Sequence, residues 1–157
     1  MRFSPLLIPL LFLTASCNKV VVHGKDRPSP PLSHSFSSSL EEAFAASQKT
    51  LAALGYEISK ADPSQGTLQT TWAGTKATSH YTDVFGEKDY GVVGTYYRLE
   101  IAMQEKEGKT SVSVSAPVRS LVHKQRSTQR EERKFLKRLA DALRREDFDV
   151  TNLGASE

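Results

Sequence analysis

A chain of 157 residues with 38% apolar and 25% charged residues has the balance of an ordinary globular protein of one domain. Its 21 basic and 18 acidic residues leave a formal charge of +3, too weak a global field to draw it to nucleic acid. With one cysteine it cannot form an internal disulfide, so its stability has to come from the core.

The first element in chain order is a targeting segment. Arg2 supplies a positive start, and Leu6 to Leu13, with Pro9 inside it, supplies an apolar run of eight residues. A membrane-spanning helix needs about 20 apolar residues, so this run reads as a secretory signal and stands apart from the fold. It ends in Leu13-Thr14-Ala15-Ser16-Cys17, small residues followed by the sole cysteine, which looks like a bacterial lipobox. Residues 1–16 are then a lipoprotein signal peptide and Cys17 is the lipidated N-terminus. An ordinary signal peptide followed by a free cysteine is the competing reading. Two or more acyl chains, each buried CH₂ contributing ~0.8 kcal/mol, hold a protein stably at a membrane. Asn18, in place of an aspartate, points to the periplasmic face of the outer membrane.

Residues 17–39 are expected to form the lipidated cysteine and a flexible tether. Pro28, Pro30 and Pro31 stand among Ser29, Ser33, Ser35, Ser37, Ser38 and Ser39, and little apolar surface is available to offset ordering entropy. A coil of ~20 residues spans on the order of 25 Å, enough to hold a domain clear of the head groups. A segment that orders on a partner is the alternative.

The globular domain is expected over residues 40–157. Ser39 followed by Glu42 has the form of a capping box, and Leu40, Ala43, Phe44, Leu51 and Leu54 recur at helical spacing before Gly55. Tyr56-Glu57-Ile58 starts a first strand. Pro63 and Gly66 mark a turn, and Leu68, Thr70 and Trp72 share one face of a second strand. After a loop, Tyr97, Leu99, Ile101 and Met103 alternate with polar residues, a hairpin turn follows at Lys106–Lys109, and Val112, Val114 and Ala116 alternate with serines. A last helix runs from about Thr128 to Glu146 and buries Phe135, Leu136, Leu139 and Leu143. The expected fold is α+β, a two-layer sandwich of one antiparallel four-stranded sheet with two helices on one face, in the order helix-strand-strand-loop-strand-strand-helix.

Leu54–Ile58, Asp62–Trp72, Tyr97–Ile101, Thr110–Val114 and the terminal helix resemble the helix-grip domain of the BamC (NlpB) lipoproteins. That resemblance covers roughly residues 40–146. It implies an outer-membrane lipoprotein, an accessory of the machinery that inserts β-barrel proteins. Those proteins usually carry two such domains and a longer N-terminal segment; this chain has one, and no partner-binding residue of the family maps onto Asn18–Ser39.

No motif for chemistry emerges, so no enzyme, cofactor or metal is expected. His23, His34, His80 and His123 are scattered and read as surface residues. Asp83, Glu87 and Asp89 lack the ordered spacing of a calcium loop. Trp72 reads as core, with partner recognition as the alternative. Tyr81, Phe85 and Tyr90 fall in a glycine-punctuated loop over residues 74–94, which either offers an interaction surface or packs on the sheet. Deleting residues 75–92 is expected to spare the fold. Arg126, Arg130 and Arg133 belong to a basic cluster that suits anionic partners, unless it is a solvated helix face. Together these residues imply a membrane-anchored interaction subunit with an envelope protein partner. A periplasmic lipoprotein that binds a lipid or peptide through the aromatic loop and open sheet face is the alternative.

Overall fold

The computed structural model describes residues 24–76, 78–90, 94–121 and 125–148. The signal segment, Cys17, His23 and His123 lie outside them. In chain order the elements are β1 (Lys25–Arg27), β2 (Leu32–Phe36), α1 (Leu40–Ala53), β3 (Ile58–Asp62), β4 (Thr67–Thr70), β5 (Ala73–Gly74), β6 (His80–Val84) and β7 (Glu87–Asp89). They continue with β8 (Thr95–Tyr97), β9 (Glu100–Lys106), β10 (Lys109–Ser115), β11 (Val118–Ser120), β12 (Gln125–Ser127) and α2 (Arg130–Phe148).

Both ends of α1 form as their residues dictate. The Ser39 hydroxyl accepts from the Glu42 N–H at 3.2 Å and the Glu42 carboxylate accepts from the Ser39 N–H at 3.0 Å, which closes the capping box. At the other end Gly55, at φ +80°, lets its N–H reach the Ala52 carbonyl while the Tyr56 N–H reaches that of Leu51. Both bonds satisfy terminal carbonyls that the helix leaves open. Among the described residues no helix is long and apolar enough to cross a membrane.

The single four-stranded sheet does not describe this molecule. Among the described residues there are three antiparallel sheets, of five strands (β2-β10-β9-β4-β3), four strands (β1-β11-β8-β5) and three strands (β12-β6-β7). The four expected strands occur inside the first sheet. Its fifth, β2, comes from the segment read as tether and pairs with β10 from Leu32↔Val114 to Phe36↔Thr110. The tether reading fails over residues 25–36 because pairing with β10 satisfies a backbone that local composition cannot order by itself.

The first two sheets are built from the same four stretches of chain. β1 leads into β2, β4 into β5, β8 into β9 and β10 into β11, and each passage breaks along one line marked by Pro28–Pro31, Thr71–Trp72, Arg98–Leu99 and Ala116–Pro117. Hydrogen bonds cross the break, from the Thr70 N–H to the Leu99 carbonyl at 3.0 Å and from the Arg98 N–H to that of Pro117 at 3.2 Å. Proline has no N–H for a ladder, which interrupts pairing at Pro28–Pro31 and at Pro117; the passages at Thr71–Trp72 and Arg98–Leu99 hold no proline.

Both helices pack on one face of the five-stranded sheet, α1 on β9 and β10, α2 on β2 and β10. Leu68, Ile101, Met103, Val112 and Val114 point to them and are buried with Leu51, Phe135 and Leu139. The opposite face carries Gln69, Ala102, Ser113 and Ser115 and is open. Gly66, at φ +63°, closes the turn from β3 to β4; a Cβ there would lie 2.6 Å from the Met103 carbonyl oxygen, so no other residue fits.

Candidate functional site

The region read as an aromatic loop is a β-hairpin. Phe85 and Gly86 take φ +53° and +89°, the left-handed pair of a two-residue hairpin turn, and the Asp83 carboxylate accepts the Gly86 N–H at 3.0 Å. Phe85 is fully exposed at the tip and Val84 is 41% exposed beside it. Cross-strand register sets Arg126 opposite Tyr81 and Asp83 opposite Lys88. The pleat therefore brings Tyr81, Asp83, Lys88, Tyr90 and Arg126 to one outward face. There the Tyr81 and Tyr90 rings lie 6.1 Å apart, and the Lys88 ammonium stands 4.9 Å from the Tyr81 centroid. Glu87 and Asp89 occupy the other face, separated from Asp83 by the same alternation.

Arg126 lies on β12 and not on the helix, whereas Arg130 and Arg133 occupy the first turn of α2. Arg130 donates to the Thr78 hydroxyl and Arg133 to the Gln129 side-chain oxygen at 3.4 Å. The fold thus gathers Tyr81, Tyr90 and Arg126 directly, sets Phe85 at the far end of the same hairpin, and keeps Arg130 and Arg133 near its root.

Beneath the hairpin the chain buries polar groups. His80, read from sequence as a surface residue, is fully buried: its Nδ1 meets the Ser79 hydroxyl at 3.0 Å and its ring lies 5.3 Å from that of Tyr97. Burial lowers its pKa to about 4, against smaller opposing effects of the Ala116 backbone and Glu131. Tyr56 donates to Glu131 at 2.9 Å and its oxygen lies 2.8 Å from that of Tyr97. Desolvation, first of all, pushes the Tyr56 phenol far up and that of Tyr97 to about 12. Glu132, also fully buried, accepts from Ser127 at 2.9 Å, and desolvation raises its pKa. Because Ser79 and His80 are core residues, removing residues 75–92 would damage the fold; only the tip around Phe85 can be cut back safely.

Trp72 is not in the core. The chain leaves β4 at Thr70, so the alternation that buries Leu68 and Thr70 stops short of it, and the ring is half-buried. Guanidinium carbons of Arg98 and Arg119 lie 4.6 and 4.4 Å from its centroid. Arg119 also pairs with Asp26, its cross-strand neighbour on β1, and holds that carboxylate below its usual range. Trp72→Ala should cost about 1–2 kcal/mol, the scale of two partly exposed cation–π contacts, read by urea unfolding. A loss above ~3 kcal/mol would return the ring to the core.

No family model matches this chain, and no curated protein does. A solved structure, the crystal structure of Ara h 8.0201, is similar over 76% of this chain and 99% of its own, at 8% identity and a TM-score of 0.45.

Sequence reasoning missed Lys76, Thr78, His80, Glu131 and Glu132. Only the glutamates left a trace, since they extend the Phe135–Leu139–Leu143 stripe one turn upstream at helical spacing.

Proposed function

We propose that this protein is a lipid-anchored lipoprotein of the cell envelope that works as an interaction subunit and not as an enzyme, its recognition surface being the outward face of the β6–β7 hairpin. The observation that carries this reading is the tyrosine pair with Lys88 and Arg126 beside them, ending in a phenylalanine wholly in water. Aromatic groups flanked by cations are the residues that dominate protein recognition, and an exposed apolar tip that serves no core is retained for contact. Arg130 and Arg133 would act as rim charges that speed association and make it salt-dependent. The lipobox supports attachment through Cys17 at the outer membrane, and the resemblance to the BamC lipoproteins supports β-barrel assembly as the process served.

The test is photo-crosslinking from position 85 in the intact lipoprotein in membranes, with position 113 on the open sheet face as comparison. Capture of an envelope protein from position 85 alone is expected. Crosslinks from position 113 to a lipid or peptide would favour the second reading, a ligand-binding lipoprotein using the open sheet face. A shallow groove of about 380 Å³ bordered by Gln69, Ala102, Ser113 and Ser115 motivates it. Anchoring has its own check. The mature protein should begin at an acylated Cys17 by mass spectrometry, and Cys17→Ala should accumulate the unprocessed form.

A further inference from the structure

A second surface feature, which shares only Arg130 with the rim of the hairpin face, lies where the turn before β6 meets the start of α2. Lys76, Thr78, Arg130, Glu131 and Lys134 line a pocket of about 470 Å³. Three of these five carry positive charge, and among the described residues none of the three has a carboxylate within ion-pair distance. The fourth charge, Glu131, is 5% exposed and its carboxylate is engaged inward by the Tyr56 hydroxyl. The lining therefore holds three basic side chains and one acidic one, a formal net charge of +2.

Two of the three cations, Lys76 and Arg130, are held by contacts with the fold. The Lys76 ammonium sits 5.8 Å from the Tyr56 centroid, which ties it to the ring that holds Glu131. Arg130 donates to the Thr78 hydroxyl, leaving its other N–H groups for a ligand. Thr78 itself has φ +68°, a left-handed conformation that β-branched residues avoid. The Thr128 hydroxyl, donating to the Thr78 carbonyl at 3.0 Å and to that of Ser79 at 2.9 Å, holds this turn against the helix. Arg130 and Glu131 open α2, whose dipole adds partial positive charge at the same place.

We propose that this pocket binds a phosphomonoester. A dianionic phosphate matches the net charge of the lining. A guanidinium fork with two lysine point charges is the donor set suited to phosphate oxygens. The volume exceeds that of a phosphate ion, so part of the group bearing the phosphate fits as well. Both a phosphorylated lipid head group and a soluble metabolite present this chemistry.

The experiment uses the full chain in detergent, titrated calorimetrically with glycerol phosphate, and in parallel its capture by nanodiscs containing phosphatidic acid or only zwitterionic lipid. The paired change Lys76→Gln with Lys134→Gln should weaken binding at least tenfold. Lys76→Arg with Lys134→Arg, which keeps the charge, should restore it to within about threefold. Lys106→Gln with Lys109→Gln, an equal charge loss at the far β9–β10 turn, should change it less than twofold. Dependence on the pocket in the nanodisc arm alone identifies a lipid head group, and in the soluble arm alone a free phosphomonoester. Equal weakening by the pocket and distant pairs would reduce the effect to general charge and overturn the proposal. So would a lack of binding in both arms at millimolar phosphate. Neither result bears on crosslinking from position 85, so the pocket and the hairpin surface stand or fall separately.

Discussion

Phe135→Ala should lower the unfolding free energy by about 3–5 kcal/mol. Phe135 is fully buried in the second turn of α2, in line with Leu139 and Leu143, where the helix closes the core over β2 and β10. Removing the ring deletes its transfer energy and leaves a cavity that a helix docked on a sheet cannot collapse to fill. A domain of this size is stable by about 5–15 kcal/mol, so the variant should sit near the edge of folding. Urea titration should show a lowered midpoint with an unchanged slope. Leu136→Ala, one position along and only partly buried, is the internal comparison and should cost clearly less. A loss below ~1 kcal/mol for Phe135→Ala would mean that α2 does not close the core.

The second large effect is a loss of stability on mild acidification that His80 controls. Its pKa is about 4 in the folded protein against an unperturbed value of 6.5, chiefly because burial opposes the charged ring. Between those values the unfolded chain binds the proton and the folded chain does not. Stability therefore falls as pH drops from about 6.5 to about 4 and is level outside that window, by about 3 kcal/mol in all. Glu132 acts in the opposite sense. Its folded pKa is raised, so its contribution is greatest below the ordinary carboxylate range and fades as pH climbs through the raised value. The two windows overlap, and the wild-type profile alone cannot separate them. The decisive measurement is the difference between wild type and His80→Gln, in urea at pH 7.5 and 4.5. Wild type should lose about 2–3 kcal/mol more than the variant on going to pH 4.5. Equal losses would mean that the ring titrates normally and that water reaches it.

Particular elements show how far local sequence reaches. Helix α1 is legible because its signals are local: a serine and a glutamate three residues apart close one end, a glycine the other, and the stripe between them buries Ala43, Phe44 and Leu51. The hairpin from β9 to β10 is equally local, with Glu107 and Gly108 both at positive φ between two strands of strict alternation. Strand β2 is different. Leu32, His34 and Phe36 do alternate with Ser33 and Ser35, but the run sits among prolines and serines and only Phe36 is buried, so its order depends on β10 some 75 residues away. The same holds for the candidate surface. Aromatic and basic residues could be picked from the chain, yet nothing in their spacing says that Arg126 lies opposite Tyr81, that Phe85 forms a tip, or that Arg130 is posed against Thr78.

By itself, then, the amino-acid order determined helix α1 with its caps, the apolar stripe of α2, the alternating faces of β4, β9 and β10, and the residues that fill the core beneath them. Capping and period-2 burial act within a few residues, and there the chain's own chemistry decides. The tertiary structure decided the rest. Strand β4 ends at Thr70 and leaves Trp72 off the buried sheet face, and β2, β1, β5, β8 and β11 extend the pairing beyond the four expected strands, because a strand forms only where a neighbouring strand is present to be paired. Glu131 went inside where Tyr56 arrives from 75 residues away to donate to it, while His80 and Glu132 keep local partners, Ser79 and Ser127, and are buried because the sheets and α2 close over them; burial of a polar side chain is set by such surroundings and not by its own hydropathy.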